Sequence, residues 1–156
     1  MSNFEQVREF HQVFDHPIAT KPDRNIFTKN EKLVNLRVAL IEEEFNELKE
    51  AISNHDMKEV ADALTDMLYV IYGAGHSFGI DLDRAFKLVH ASNMTKACST
   101  LEEAEETVSH LLKEGRYRDP AISKSQCGKY YIVYDRKTGK ILKNKYYKPV
   151  DLTPVL

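Results

Sequence analysis

Residues 30–53 read NEKLVNLRVALIEEEFNELKEAIS, and the reading of this stretch decides the fold. Val34, Val38, Ile41, Phe45, Leu48 and Ile52 recur at the three- and four-residue spacing of an amphipathic helix. Within it, residues 39–51 (ALIEEEFNELKEA) hold five glutamates between Glu42 and Glu50. A charge run is ordinarily a solvated face, so the angular position of each glutamate matters. Successive residues advance about 100° around a helix axis. With Ile41 at zero, the stripe lies within roughly 60° of it, and Leu33, Leu40 and Ala51 extend the arc to about 260°. Glu44 falls near roughly 300°, inside the arc, and Glu47 near about 240°, at its margin. Glu43 is one step further out, while Glu42 and Glu50 point to solvent. Arg37 also lies inside the arc, one helical repeat before Glu44. An Arg37–Glu44 ion pair with a snorkelling Glu47 is therefore the structural alternative to an inward-facing site, since a buried carboxylate needs a partner or a metal.

The next periodic segment, residues 56–78, is almost wholly apolar after Asp66. Its start, EVADALTD, puts Glu59, Asp62 and Asp66 in one acidic line at i, i+3 and i+7. A capping box from Asp56 would occupy Glu59 locally, whereas a cap at Ser53 or Asn54 would leave it free. Asp62 and Asp66 have no capping role. Two antiparallel helices, each with carboxylates on the inward margin, can bring four carboxylates to one point, and these cannot all remain ionised without cations between them. All-oxygen ligands select Mg²⁺ or Mn²⁺. A di-iron bundle requires Glu-x-x-His, which no glutamate here provides. Mg²⁺ held by a few carboxylates keeps positions open for water and phosphate. In HASNMTKA, Asn93 and Lys96 point to the same side as Phe86 and Val89, an inward pair suited to phosphate or ribose. A snorkelling Lys96 and a backbone-paired Asn93 are the alternative.

Working outward, residues 3–14 predict a helix through Phe4, Val7, Phe10 (or His11) and Phe14, followed by a connector marked by Pro17 and Pro22. Asp81 can cap a helix running to about residue 97. Thr100 with Glu103 reads as a capping box for another, ending at Gly115. Two β-prone runs flank Asp135–Gly139, a hairpin signal. The expected architecture is all-α, a bundle of four to five helices, with a small C-terminal β-hairpin and extended tail. The expected division is a helical catalytic domain over 1–115 and a basic, Tyr-rich hairpin and tail over 116–156. The over-apolar second long helix predicts a homo-oligomer.

Among 156 residues, 42% are hydrophobic and 29% charged, a globular composition. The formal net charge of -2 conceals an acidic first part (12 Lys/Arg against 21 Asp/Glu in residues 1–115) and a basic remainder (10 against 3). The two cysteines form no metal or disulfide pattern and fit a reducing, cytoplasmic setting. The charged start argues against a signal peptide, and the uncharged run Met67–Ile80 is too short to span a bilayer. No membrane partner is expected. The basic tail, with six tyrosines, could serve a nucleic acid. The favoured reading is instead a hairpin packed through its tyrosines, and a lid carrying Arg116, Arg118 or Lys124 to phosphates is a third option.

Taken together, Glu43-Glu44-x-x-Glu47, Glu59-x-x-Asp62 and Asn93-x-x-Lys96 resemble the MazG-like all-α nucleoside triphosphate pyrophosphohydrolases. That superfamily includes dimeric dUTPases and phosphoribosyl-ATP pyrophosphohydrolase. The likeness covers roughly residues 1–97, and VREFHQVFDHPIATKP resembles the opening of bacterial dUTP-hydrolysing members. The resemblance implies Mg²⁺-dependent cleavage (Mn²⁺ being possible) between the α- and β-phosphates of a nucleoside triphosphate. It implies Glu44, Glu47, Glu59 and Asp62 as metal ligands, with Glu43 orienting the attacking water or aiding a second metal. It also implies Asn93 and Lys96 on ribose and phosphate, and a homodimer or dimer-based tetramer. A nucleic-acid-binding module and a phosphoribosyl-ATP pyrophosphohydrolase are the alternatives. The short interval from Glu47 to Glu59 requires a tight turn.

Overall fold

The computed structural model describes residues 1–156, in which six helices precede a two-stranded antiparallel sheet. The chain divides into two compact units, Met1–Ala85 with Leu152–Leu156, and Phe86–Asp151. The division expected after residue 115 follows the change in charge and texture. The packing division falls earlier, because the helix after residue 100 builds its core with the sheet.

In the first unit, α1 (Asn3–Val13) opens with a reciprocal capping box: the Glu5 N–H donates to Ser2 Oγ at 3.2 Å and the Ser2 N–H to Glu5 Oε2 at 2.8 Å. A single helical turn, α2 (Ile26–Lys29), lies just after the Pro-rich connector. Four residues are too few to show a helical period, which is why the sequence pattern passes over it. The long helices α3 (Glu31–Ser53) and α4 (Met57–Phe78) pack along their length as the central pair. Three residues join them, with His55 in the left-handed region at φ 55°. The His55 and Asp56 N–H groups donate back to Ile52 O and Ala51 O, which closes the turn. Asp56 caps α4, its Oδ1 accepting from the Lys58 and Glu59 N–H groups at 3.0 and 3.2 Å. Helix α4 stops at Gly79, φ 73°, where a Cβ would lie 2.4 Å from the Lys21 carbonyl carbon. Both the backbone conformation and that approach require glycine.

The face that α3 turns toward α4 is not the apolar stripe read from the sequence. Arg37 and Ala51 are buried, while Val38, Phe45 and Ile52 are half-exposed. Helix α4 likewise buries Ala63, Gly73, Ala74 and Gly75 and leaves Leu64, Leu68 and Ile71 partly exposed. Alanine and glycine allow two helices to approach closely. Helix α1 closes the far end of this pair. The Phe4 ring stacks on His76 at 3.8 Å and 7°, and His76 Nε2 donates to Phe4 O at 2.8 Å.

Helix α5 (Leu82–Met94) is capped by Asp81, whose Oδ1 accepts from the Arg84 N–H at 2.9 Å, and leads into the second unit. There α6 (Leu101–Glu114), capped by Thr100, packs on β1 (Pro120–Lys124) and β2 (Tyr131–Asp135). The strands pair antiparallel with Ile122 opposite Val133. Cys98, Ala104, Leu111, Val133 and Leu142 form the core, with Tyr117 and Tyr131 packed against it. The hairpin turn lies at residues 125–130, one strand earlier than expected. Ser125 accepts there from Tyr130, and Gly128 takes the left-handed conformation. Asp135–Gly139 does form a turn, closed by Thr138 Oγ1 donating to Asp135 Oδ2, but the arm after it makes only one bridge, Tyr134 to Ile141. No helix is long and apolar enough to cross a membrane.

Burial lowers the pKa of His11 and His76 below the ordinary 6.5. The unfolded chain therefore takes up protons that the folded chain resists, and stability present above pH 6.5 is lost as pH falls through that value and toward the lowered ones. Thermal denaturation should show the melting temperature falling between about pH 7.5 and about pH 5.5, with a shallower fall in His76→Gln. An equal slope in that variant would contradict the assignment.

Candidate active site

The tight turn fixes the register of α3 against α4, and that register places the two acidic lines in one seam. A surface depression of about 340 Å³ is lined by Glu47, Glu50, Ala51, Asn54, Asp56, Glu59, Asp62 and Ala63. Five carboxylates thus share one depression whose floor is two alanines. Further along the seam, Glu44 is half-buried and its Oε2 is enclosed without a hydrogen-bond partner. Burial first, and then the charges of Glu47, Asp66, Glu43 and Asp62, raise the Glu44 carboxyl above its ordinary 4.5. This electrostatic coupling brings together Glu43, Glu44, Glu47 and Asp62 of the sequence-derived set. Glu59 joins Glu47 and Asp62 in the depression and has one exposed ion pair, with Lys58 Nζ at 3.7 Å. Asp56 is the N-cap of α4, but the reciprocal half of a capping box is absent, so the Glu59 carboxylate is not drawn into a cap.

Two further acids belong here. Asp66 acts on Glu44, as its place in the i, i+3, i+7 line suggested. Glu50, placed on the solvent face from the stripe centred on Ile41, is exposed as read and also borders the depression. The physical reason is the rotation of the true inward face toward Arg37, Glu44 and Ala51, which carries Glu50 round to the rim. The Arg37–Glu44 ion pair does not form. Arg37 is only 5% exposed, yet its Nε and Nη2 have no partner.

Beside Glu44 the seam opens into a second, mostly apolar pocket of about 330 Å³. Phe10, His11, His16, Arg37, Tyr69 and Gly73 line it, together with Glu44 and Asp66. Phe10 meets Tyr69 edge-on at 5.4 Å and stacks near His16 at 5.7 Å. Of the three aromatic side chains Phe10, Phe14 and Tyr72, one lines this pocket. Phe14 is largely exposed, Tyr72 packs against Phe4, and Phe10 alone reaches the pocket. His11, Tyr69 and Gly73 were missed. Gly73, a residue without a side chain amid a long apolar helix, was the available signal.

Asn93 and Lys96 lie in the second unit, and Lys96 Nζ donates to Asn93 Oδ1 at 2.8 Å. Asn93 is exposed and Lys96 half-buried; Phe86, used to mark their inward side, is 72% exposed. The buried positions of α5 are Ala85 and Ser92. Lys96 also borders a basic cleft of about 400 Å³ with Arg116, Lys140, Lys143 and Tyr147.

The profile of the phosphoribosyl-ATP pyrophosphohydrolase family matches residues 7–93, the segment that carries both acidic lines. The chain belongs to this family. The family is part of the MazG-like all-α nucleotide pyrophosphohydrolase superfamily, consistent with the helical fold and with a pyrophosphohydrolase enzyme. Lys96 and the basic region lie beyond the matched segment. A relative in Acanthamoeba polyphaga mimivirus, "Uncharacterized protein L479", is 26% identical over 99% of this chain and 96% of its own length.

Pyrophosphohydrolases of this family typically use a divalent metal. The donor chemistry of the seam fits one: several carboxylates, an enclosed unpartnered Glu44 oxygen, and a Glu44 carboxyl destabilised by its neighbours. The side chains are not gathered into a ready cage, since no three acids or imidazoles converge in a metal-holding arrangement. Relief of this repulsion is measurable without activity. Glu44→Gln should raise the melting temperature of the metal-free protein. Mn²⁺ should raise that of the wild type, and by less in Asp62→Asn. A fall with Glu44→Gln, or an equal Mn²⁺ effect in both proteins, would show that the acids do not act as one cluster.

Proposed function

We propose that this protein hydrolyses nucleoside triphosphates between the α- and β-phosphates, releasing a nucleoside monophosphate and pyrophosphate in a nucleotide-pool house-cleaning role. The observation that carries the reading is the acidic seam continuing, through Glu44, into an aromatic pocket. A place for metal-bound phosphates thus adjoins a place for a base. Glu44, Glu47, Glu59 and Asp62 are the proposed ligands of Mg²⁺, with Mn²⁺ as a substitute. When bound, the metal supplies charge neutralisation for the triphosphate and lowers the pKa of water. Glu43, at the margin of the cluster, receives the proton of the attacking water.

Phosphoribosyl-ATP is the second candidate substrate, favoured by the description of the matched family. Pyrophosphate release over a panel of canonical and modified dNTPs, phosphoribosyl-ATP included, with Mg²⁺ or Mn²⁺, separates the two. Glu43→Gln should lower kcat by roughly 10²- to 10⁴-fold with little change in KM. Folded wild-type protein that turns over none of the panel would refute the reading.

The half-exposed Val38, Phe45 and Ile52 of α3, with Leu64, Leu68 and Ile71 of α4, favour a homodimer or dimer-based tetramer that covers them. Sedimentation should give a mass of two or four chains, and Phe45→Glu combined with Leu68→Glu should dissociate it. A wild-type monomer at micromolar concentration would count against this assembly.

A further inference from the structure

The pocket beside Glu44 contains a charge that the fold leaves unmatched. Arg37 is 5% exposed, forms no ion pair, and has two enclosed nitrogens, Nε and Nη2, without hydrogen-bond partners. A guanidinium carries donors only. Burying one unpaired is costly, and the cost depresses its pKa through desolvation alone. A protein gains no stability from such a group, which points to a ligand that completes it.

The surroundings indicate what that ligand presents. A Cβ at Gly73 would stand 3.0 Å from His11 Nε2 and 3.1 Å from Arg37 Nη1, so only glycine lets both side chains lie close against α4, where they line the same pocket. His11 Nδ1 lies 2.9 Å from the Pro17 carbonyl oxygen. A carbonyl can only accept, so Nδ1 carries the proton and Nε2 is left as an acceptor. The pocket therefore sets a cationic donor and a neutral acceptor on one wall. Phe10 and Tyr69 supply flat apolar walls beside it. Arg37 precedes Glu44 by seven residues, about 10 Å along the helix. That is on the scale of the span from the α-phosphate of a nucleotide to the far edge of its base.

We infer that Arg37 and His11 are the base-reading end of the site, selecting bases that present a carbonyl oxygen next to a ring N–H, the edge shared by uracil, thymine and guanine. The guanidinium donates to the carbonyl oxygen, and His11 Nε2 accepts from the ring N–H. Cytosine and adenine place an amino group where the carbonyl would be, which sets donor against donor at Arg37. An enclosed polar group left unmatched in this way rejects the wrong ligand more strongly than a missing apolar contact does. The assignment rests on the nucleotide hydrolysis proposed above, and the test is arranged so that the two can fail separately.

The experiment has two arms, each on wild type and Arg37→Met. The first measures kcat/KM for dUTP, dTTP, dGTP, dCTP and dATP. Wild type should favour the first three over the last two by at least about 10-fold, and Arg37→Met should bring the ratio toward one. The second titrates metal-free protein with dUMP and dCMP and follows the His11 ring resonances by NMR. dUMP should shift them in wild type far more than dCMP, and the difference should vanish in Arg37→Met. A purely structural Arg37 would make Arg37→Met less stable, whereas loss of an orphaned cation should leave its melting temperature equal or higher. Should Arg37→Met fail to fold, Arg37→Lys serves, with discrimination reduced because the planar fork is lost. Turnover without discrimination, or discrimination unchanged in the variant, overturns the inference while leaving hydrolysis intact. No turnover together with selective dUMP binding overturns the hydrolytic reading and leaves the pocket assignment standing.

Discussion

The rest of the structure depends on the register between α3 and α4. Three residues connect the helices, one of them a histidine in a left-handed conformation that a β-carbon disfavours. The reversal therefore has little freedom, and the small residues Ala51 and Ala63 let the helices close on each other. Once the register is set, Glu47 and Glu50 share a depression with Glu59 and Asp62, Glu44 couples to Asp66, and Arg37 reaches Gly73. A slip of one residue on either helix would turn its acidic line by about 100° and disperse the cluster.

The first unit is unusual in what it buries. Its enclosed residues include Arg37, His11, His76 and Ser77 alongside alanines, while many of its large apolar side chains remain partly exposed. The second unit follows the ordinary pattern, with a compact apolar core and a buried Asn144 whose amide donates to Ala97 O and Glu103 Oε1. The contrast divides the work. The second unit invests its sequence in its own packing. The first sets polar groups against one another in a seam and leaves many of its apolar side chains partly exposed. Unmatched charge inside a fold is costly to stability, and such groups concentrate where a protein binds something.

Much of this was legible in the sequence because it depends on period and spacing. The long helices, their caps at Asp56, Asp81 and Thr100, and the partial burial of Glu44 follow from a 3.6-residue repeat and a few capping side chains, whereas Glu47 is exposed. What escaped depends on partners distant in the chain. The stripe centred on Ile41 was taken as the inward face, yet the face that meets α4 is rotated by roughly 70° toward Arg37, Glu44 and Ala51. The strongest apolar stripe marks whatever the helix will cover, including a second molecule, so it does not identify the contact within one chain. The hairpin was placed one strand late because Asp135–Gly139 is a stronger local turn signal than the segment from Ser125 to Tyr130, and pairing with Pro120–Lys124 is decided by the core of the second unit. The pocket of Phe10, His11 and Tyr69 combines α1 with α4, a juxtaposition that helical periodicity alone does not encode.

The central claim is that the α3–α4 seam holds a divalent cation on carboxylates from both helices. Crystals grown with Mn²⁺ and a nucleoside monophosphate, with anomalous scattering recorded at the manganese edge, test it most directly. The account predicts a manganese peak between the helices, with Glu47 and Asp62 oxygens about 2.1 to 2.2 Å away. Manganese bound only elsewhere, or ligated from one helix alone, would contradict it.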